Sequence, residues 1–334
     1  MTGWRKPGAL AVVVLLSLAA VALAASVGPS ELGLRELIAA LAGEGDANRR
    51  TILIDVRLAR ALLAGLVGAA LSAAGCAYQA VLRNPLADPY ILGISGGAAL
   101  GAVAFDAVAP RAFLEATTGR PAAALAGALC TLVVLFGLTR FRGRTETTAL
   151  LLTGVVLNAF DSAVIQFFVS TGDPARFQGT LSYLMGAMTS PSWSVLATLA
   201  VLCGIGLGAL AAQARTLNLL AVGDEEAAQL GVNVERSTWV AVVAASVVTA
   251  AAVAFTGIVG FVGLIVPHAM RRLFGPDHRL LVPASAFAGA AMVVLADAAA
   301  RTLLAPSELP VGVVTAMIGG PFFLVLLMRR LRES

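Results

Sequence analysis

Three aspartates stand inside or near the ends of long apolar runs: Asp106, Asp161 and Asp297. A carboxylate at membrane depth is costly, and where one persists it marks an ion path, a proton relay or an internal ion pair. Asp297 and Arg301 are four residues apart, so a helix would set them on one face as a pair. Asp161 and Asp297 are the acids an ion-coupled carrier would use. His268 follows Pro267 near the end of a run and His278 falls in a connection, so both read as interfacial or capping residues. No Ser/His/Asp set and no metal-ligand spacing occurs in a credible setting, so neither an intramembrane enzyme nor a bound metal is expected. Cys76, Cys130 and Cys203 each lie inside an apolar run. Their odd number and spacing speak against a disulfide framework or zinc site and for small packing residues.

Lys6 is the only lysine. A P-loop places a lysine on the nucleotide phosphates within G-x-x-x-x-G-K-[ST], and Lys6 has no such context. The chain therefore supplies no P-loop ATPase site, and ATP-driven work would need a second subunit to bring the nucleotide.

The elements that carry these residues follow from composition. Of 334 residues 59% are hydrophobic and only 13% are charged, against about 25% charged in a soluble domain. Lipid must be the solvent for most of the chain. Apolar runs recur at about 9–27, 58–81, 91–109, 121–139, 147–170, 192–212, 238–256, 257–270, 281–301 and 310–328. The expectation is an all-α polytopic membrane protein of about ten transmembrane helices, forming one domain over 1–334. A span needs about 20 apolar residues, so little is left for a soluble domain. Trp4-Arg5-Lys6 and the run after it resemble a secretory signal, but Ala9 to Val27 is long enough to span, and a retained first helix is expected. The boundary between the seventh and eighth runs, at Thr256-Gly257-Ile258-Val259-Gly260, is the least regular. Gly65, Gly68 and the glycines from Gly96 to Gly101 are read as sites of close helix packing, which replaces the hydrophobic drive in lipid.

With the N-terminus inside, the inner connections hold more arginines than the outer ones, as the positive-inside rule requires. Both termini are then cytoplasmic. Two inner connections stand out. Arg83-Asn84-Pro85-Leu86-Ala87-Asp88-Pro89 has two prolines that break any helix. The segment 218–237 carries Asp224, Glu225, Glu226 and Glu235, and reads as a short exposed helix stopped at Gly231. It is longer than a connector needs to be, which favours docking of a soluble partner.

Four ordered stretches carry a resemblance. They are Arg57-Leu58-Ala59-Arg60; Asn84 to Pro89 with Gly93-Ile94-Ser95-Gly96-Gly97-Ala98; Gly257 to His268; and Glu308-Leu309-Pro310-Val311-Gly312-Val313-Val314-Thr315. Together they resemble the FecCD/BtuC family, permease subunits of bacterial ATP-driven (ABC) importers for iron-siderophores, haem and cobalamin. The resemblance covers about residue 50 to the C-terminus. It implies a BtuC-like, ten-helix subunit of the inner membrane that forms a homodimer around the path. It also implies two cytoplasmic ATPase subunits, which use the ATP and Mg, and a periplasmic substrate-binding protein. No cofactor is expected on this chain.

By the same resemblance Arg57, Arg60 and Arg301 fall where the family's vitamin importer receives acidic residues of the binding protein. An arginine fork suits carboxylates. Asn84, Leu86, Thr147 and Thr148 match a cytoplasmic gate, with Glu146 an added charge beside it. Asp224, Glu225, Glu226, Ala227, Ala228, Leu230 and Gly231 match the segment that couples permease to ATPase, the alanines allowing close packing. The path would be lined by the fifth, eighth and tenth helices. Tyr183 and Met185 would lie at the outer mouth, after an outer segment at Thr171–Thr180. Two other readings compete: an ion-coupled secondary transporter and a non-transporting membrane scaffold.

Overall fold

The computed structural model describes residues 5–28, 32–110, 119–141, 144–145 and 147–333. The chain enters as α1 (Arg5–Ser26), followed by two short helices, α2 (Leu34–Leu41) and α3 (Ala47–Arg50). A π-helical stretch, Thr51–Leu58, runs into α4 (Ala59–Val81). After a 3-10 turn at Pro89–Leu92 come α5 (Ile94–Val108) and α6 (Gly119–Thr139). A two-residue hairpin pairs β1 (Arg140–Phe141) with β2 (Arg144–Thr145). Then follow α7 (Thr147–Thr171), α8 (Pro174–Leu184), α9 (Trp193–Ala212), α10 (Ala214–Leu220) and α11 (Asp224–Gln229). The chain ends with α12 (Val234–Thr256), α13 (Val262–Phe274), α14 (His278–Thr302) and α15 (Val311–Glu333).

The molecule is helical, as its composition requires. Among the described residues seven helical segments are long and apolar enough to cross a membrane, and α5 and part of α15 are shorter apolar helices. Every expected apolar run lies at least in part on a helix. The run at 257–270 differs in kind. Residues Gly257–Phe261 are irregular, and α13 has 13 residues, about 20 Å long against a hydrocarbon core of about 30 Å. Helices α2, α8 and α10 lie where the sequence reads as connection. In particular most of the outer segment Thr171–Thr180 is taken up by α8.

Helix α4 is the axis of the fold. Its most apolar window is 78% buried, against 17% for that of α7. It packs on α14, α12, α13 and α9. Small residues make this possible. A Cβ on Gly68 would lie 2.1 Å from the Gly289 carbonyl oxygen, and one on Gly75 would lie 1.9 Å from that of Gly263. The backbones of α14 and α13 touch α4 directly at these two places. Gly97 and Gly101 serve the α5–α6 contact in the same way. Cys76 and Cys203 are buried packing residues, but Cys130 is exposed on α6, so it is not a core residue.

Candidate functional site

The candidate site spans the two ends of α4 and the broken helices beside it. At one end α4 stops with two reciprocal bonds: the Asn84 amide donates to the Gln79 carbonyl (3.2 Å) and that of Arg83 to Ala80 (3.2 Å). This closure needs a left-handed residue, and Arg83 takes it with φ 48°. The Asn84 side chain then accepts from the Leu86 amide (3.0 Å), which fixes the turn. Asp88 caps the 3-10 turn by accepting from the Tyr90 amide (3.0 Å). Asn84 and Leu86 are half-buried on this loop. Thr148 is exposed at the start of α7, and only the backbone of Thr147 is described. Glu146 lies outside the described residues. Among the described residues no hydrogen bond joins Thr148 to the Asn84–Leu86 loop within one copy.

Helix α11 stands next to this loop. Its expected stop is confirmed in detail: Gly231 has φ +81°, its amide donates to Ala228 (2.9 Å), and that of Val232 donates to Ala227 (3.0 Å). Asp224, Glu225 and Glu226 fill its first turn, where the helix dipole favours them. They are exposed, as are Ala228 and Leu230. Ala227 is not: it is fully buried against the protein's own core, so it anchors α11 and does not reach outward. Val222 and Leu230 flank the helix and are 69% and 68% exposed, which makes an apolar knob with an acidic face. An ion pair, Arg83 Nη2 to Asp224 Oδ2 at 3.1 Å, ties α11 to the end of α4.

Residues that local sequence reasoning passed over brace this end. Arg271 donates to Gln79 Oε1 (2.9 Å), and Gln79 donates to the Gly263 carbonyl (3.2 Å), which links α4 with α13. Asn218 of α10 donates to Asp277 (2.8 Å) and accepts from the His278 amide (2.8 Å). Hydrogen bonds from Asn218 and from the Arg279 amide hold the Asp277 carboxyl below its ordinary range. Asp277, not His278, is the N-cap of α14; His278 is the first residue of the helix and is buried, which corrects its sequence reading as an interfacial or capping residue.

Deeper in, the second and third motifs meet. The Tyr90 hydroxyl donates to the Val259 carbonyl and accepts from its amide, both at 2.8 Å. The fourth motif joins them: the Val311 amide donates to the Gly186 carbonyl (3.0 Å). A Cβ on Gly312 would lie 2.5 Å from the Ile258 carbonyl oxygen. Irregular backbone at membrane depth is tolerated only where protein or a cavity satisfies it, and these contacts do so. Tyr183 is buried here and donates to the Val253 carbonyl (2.7 Å), whereas Met185 is half exposed. Of the two expected mouth residues, only Met185 is open to its surroundings.

At the other end of α4 the three motif arginines turn inward. Arg57, Arg60 and Arg301 are 4%, 8% and 6% exposed. Arg57 donates to the carbonyl of Ser26, the last residue of α1, and to that of Leu32 beyond it (3.2 and 2.9 Å). Arg60 grips Asp297 with Nε and Nη2 (3.1 and 3.0 Å) and reaches Glu308 with Nη1 (2.8 Å). Arg301 Nε lies 3.1 Å from Asp297 Oδ2, an ion pair whose angles fall short of a hydrogen bond, and Nη2 donates to Ala24 (3.1 Å). The expected i, i+4 pair is present, but the expected display of three arginines to a partner is not. Their forks are taken up by internal acceptors. Glu308, with its side chain 52% exposed, is what this cluster presents outward.

The pattern that defines the FecCD transport family matches residues 13–329. The chain belongs to that family. It is 42% identical over 281 residues to the cobalamin import system permease protein BtuC of Halobacterium salinarum, covering 84% of this chain and 74% of that one. It is 41% identical over 285 residues to the hemin transport system permease protein HmuU of Yersinia pestis, covering 84% of each. An inward-facing structure of a metal-chelate type ABC transporter superposes with TM-score 0.84 at 28% identity, over 97% of this chain and 99% of that one. The FecCD chain is thus a membrane-embedded transport protein with an ABC-permease fold, and its four motif stretches are the parts that converge around α4.

Proposed function

We infer that this protein is the permease subunit of an ATP-driven importer, which carries an iron chelate, haem or cobalamin through the inner membrane by alternating access. The observation that carries the reading is the arrangement at the inner end of α4. An exposed acidic helix with an apolar knob is joined by the Arg83–Asp224 ion pair to the loop that holds Asn84 and Leu86. A partner that moves α11 moves that loop. The chain has no P-loop of its own, so the partner must bring the nucleotide.

In this reading both termini are cytoplasmic and two copies face each other across the path. Two ATPase subunits take the knob formed by Val222, α11 and Leu230. Thr147 and Thr148 of α7 close against the Asn84–Leu86 loop. A periplasmic binding protein docks at the other end, on exposed groups such as Arg49, Arg50 and Glu308, while Arg57, Arg60 and Arg301 brace that face from beneath. The relatives named for cobalamin and hemin support a bulky, partly apolar substrate class.

The test is native mass spectrometry of the gently solubilised protein from its own host. Two copies with two ATPase subunits are expected. A stable particle that never carries an ATPase, even on co-expression, would overturn the reading.

One observation keeps the ion-coupled reading in view. Among the described residues Asp161 Oδ2 is buried without a hydrogen-bond partner, beside Asn158 and Gly96. Asp297, the second acid such a carrier would use, is held by Arg60 and Arg301. Asp161→Asn is expected to leave ATP-dependent uptake within about two-fold of the parent, because a change below ~0.5 kcal/mol is the norm where no essential contact is lost. Abolished uptake in this variant would point to the carrier.

A further inference from the structure

A second site lies away from α4's inner end, where α6, α9 and α12 meet α8. Asp106 of α5 is fully buried. It accepts from Thr180 of α8 and from Arg120 Nε at the start of α6 (3.0 Å). That fixes the arginine's direction. Among the described residues no acceptor is assigned to the two terminal amines of Arg120, whose side chain is 32% exposed. Arg120 lines a cavity of about 410 Å³ together with Ser182, Thr189, Ser190 and Ser192. The Ser190 hydroxyl already donates to the Val56 carbonyl (3.2 Å) and that of Ser192 accepts from the Val195 amide (3.4 Å), which leaves Ser182 and Thr189 as the hydroxyls beside the arginine. Directly below, sharing Pro121, Val195, Ala254 and Phe255 with it, is an apolar groove of about 300 Å³ between α6, α9 and α12.

The two compartments together suit an amphiphile. Arg120 and Asp106 are neutral as a unit, so the cavity has no net charge with which to hold a free divalent phosphate. It does offer directed donors to a phosphodiester already held by its chains. The groove offers apolar walls open along Ala122 and Thr198, both exposed. The level is also right. Trp193 begins α9 beside the cavity, 44% exposed, and its indole donates to Asp55 (2.7 Å). Tryptophan gathers at the headgroup level of membranes, so donors sit at headgroup depth and the groove runs into the hydrocarbon. We propose that Arg120 and its neighbouring hydroxyls hold the phosphate of a glycerophospholipid whose acyl chain lies in the α6–α9–α12 groove. In the orientation proposed above this is the outer leaflet, but the site itself does not depend on the transport reading.

The test uses the purified complex, stripped of lipid and titrated in native mass spectrometry. The probes are 1-palmitoyl-2-oleoyl-phosphatidylethanolamine and 1-palmitoyl-2-oleoylglycerol, which share chains and differ in the phosphate. The first phospholipid is expected to bind about ten-fold tighter than the diacylglycerol, the worth of about one charge-assisted hydrogen bond. Arg120→Gln should abolish that preference. Thr198→Phe, which fills the groove from its open side and leaves Arg120 alone, should weaken both lipids. If Arg120→Gln does not fold, the lipid pair and Thr198→Phe still decide. Equal binding of the two lipids, or binding indifferent to Thr198→Phe, would overturn the proposal. Failure of the ATPase to co-purify would bear on the importer reading and leave this result untouched.

Discussion

The two ends of α4 carry arginines of the same chemistry and opposite circumstance. Arg60, near its start, is 8% exposed and grips two carboxylates from distant parts of the chain. Arg83, just past its end, has a side chain 38% exposed and meets Asp224, itself 49% exposed. A buried pair stabilises little over a well-packed apolar alternative, yet removing one member leaves an uncompensated charge. An exposed pair contributes at most about 1 kcal/mol and is easily remade. One end of the central helix is thus built to stay as it is, and the other can exchange partners.

The strongest way to break that contrast is at the buried end. Arg60→Met leaves Asp297 with only the poorly angled Arg301 and should lower stability by about 3–5 kcal/mol. This would be read as a clear fall in the unfolding temperature in detergent. The triple variant Arg60→Met/Asp297→Leu/Arg301→Met removes the buried charges together, Arg301 included because it also pairs with Asp297, and should recover most of the loss. If the single variant unfolds like the parent, Arg60 is not a brace, and its direct use in docking returns as the better account.

The next effect belongs to the exposed end and is functional. Val222→Asp/Leu230→Asp puts charges on the two apolar residues that flank α11, 69% and 68% exposed. Neither packs in the core, so unfolding should stay within about 0.5 kcal/mol of the parent. Retention of the ATPase should fall more than about ten-fold, because two carboxylates buried without partners in the interface are costly. A fully retained ATPase would place the docking surface elsewhere.

What the sequence made legible follows the range of the interactions involved. The apolar runs are local, and each is found at least in part on a helix. The stop of α11 is local too: a glycine after a short acidic helix needs only its own carbonyls, and Gly231 behaves so. Short helices such as α2 and α8 escaped because they lack the length and hydropathy of a span. The fate of Arg60 was not legible at all, since Asp297 lies 237 residues away. Motif and topology placed Arg57, Arg60 and Arg301 correctly at one end of the bundle. They could not say whether the forks point out or in, because that is decided by which helices pack beside α4. Ala227 teaches the same lesson within one short helix: its type suits close packing, and the packing is against the protein's own core.

The smallest expected effect is also the sharpest test of the exposed end. Arg83 holds a left-handed conformation, φ 48°, that costs a side-chain-bearing residue about 1–2 kcal/mol and glycine almost nothing. Arg83→Ala keeps the strain and loses the bond to Asp224, so its stability should fall by up to about 1 kcal/mol. Arg83→Gly loses the same bond but relieves the strain, and should be as stable as the parent or slightly more so. The two variants therefore differ in stability while sharing one functional defect. If the ion pair carries motion from α11 to the Asn84–Leu86 loop, both should slow uptake alike, by up to about five-fold, the equivalent of ~1 kcal/mol. Uptake that instead follows stability, reduced for alanine and normal for glycine, would make Arg83 a fold residue. The connection between α11 and the loop would then have to run through the backbone and Gln79.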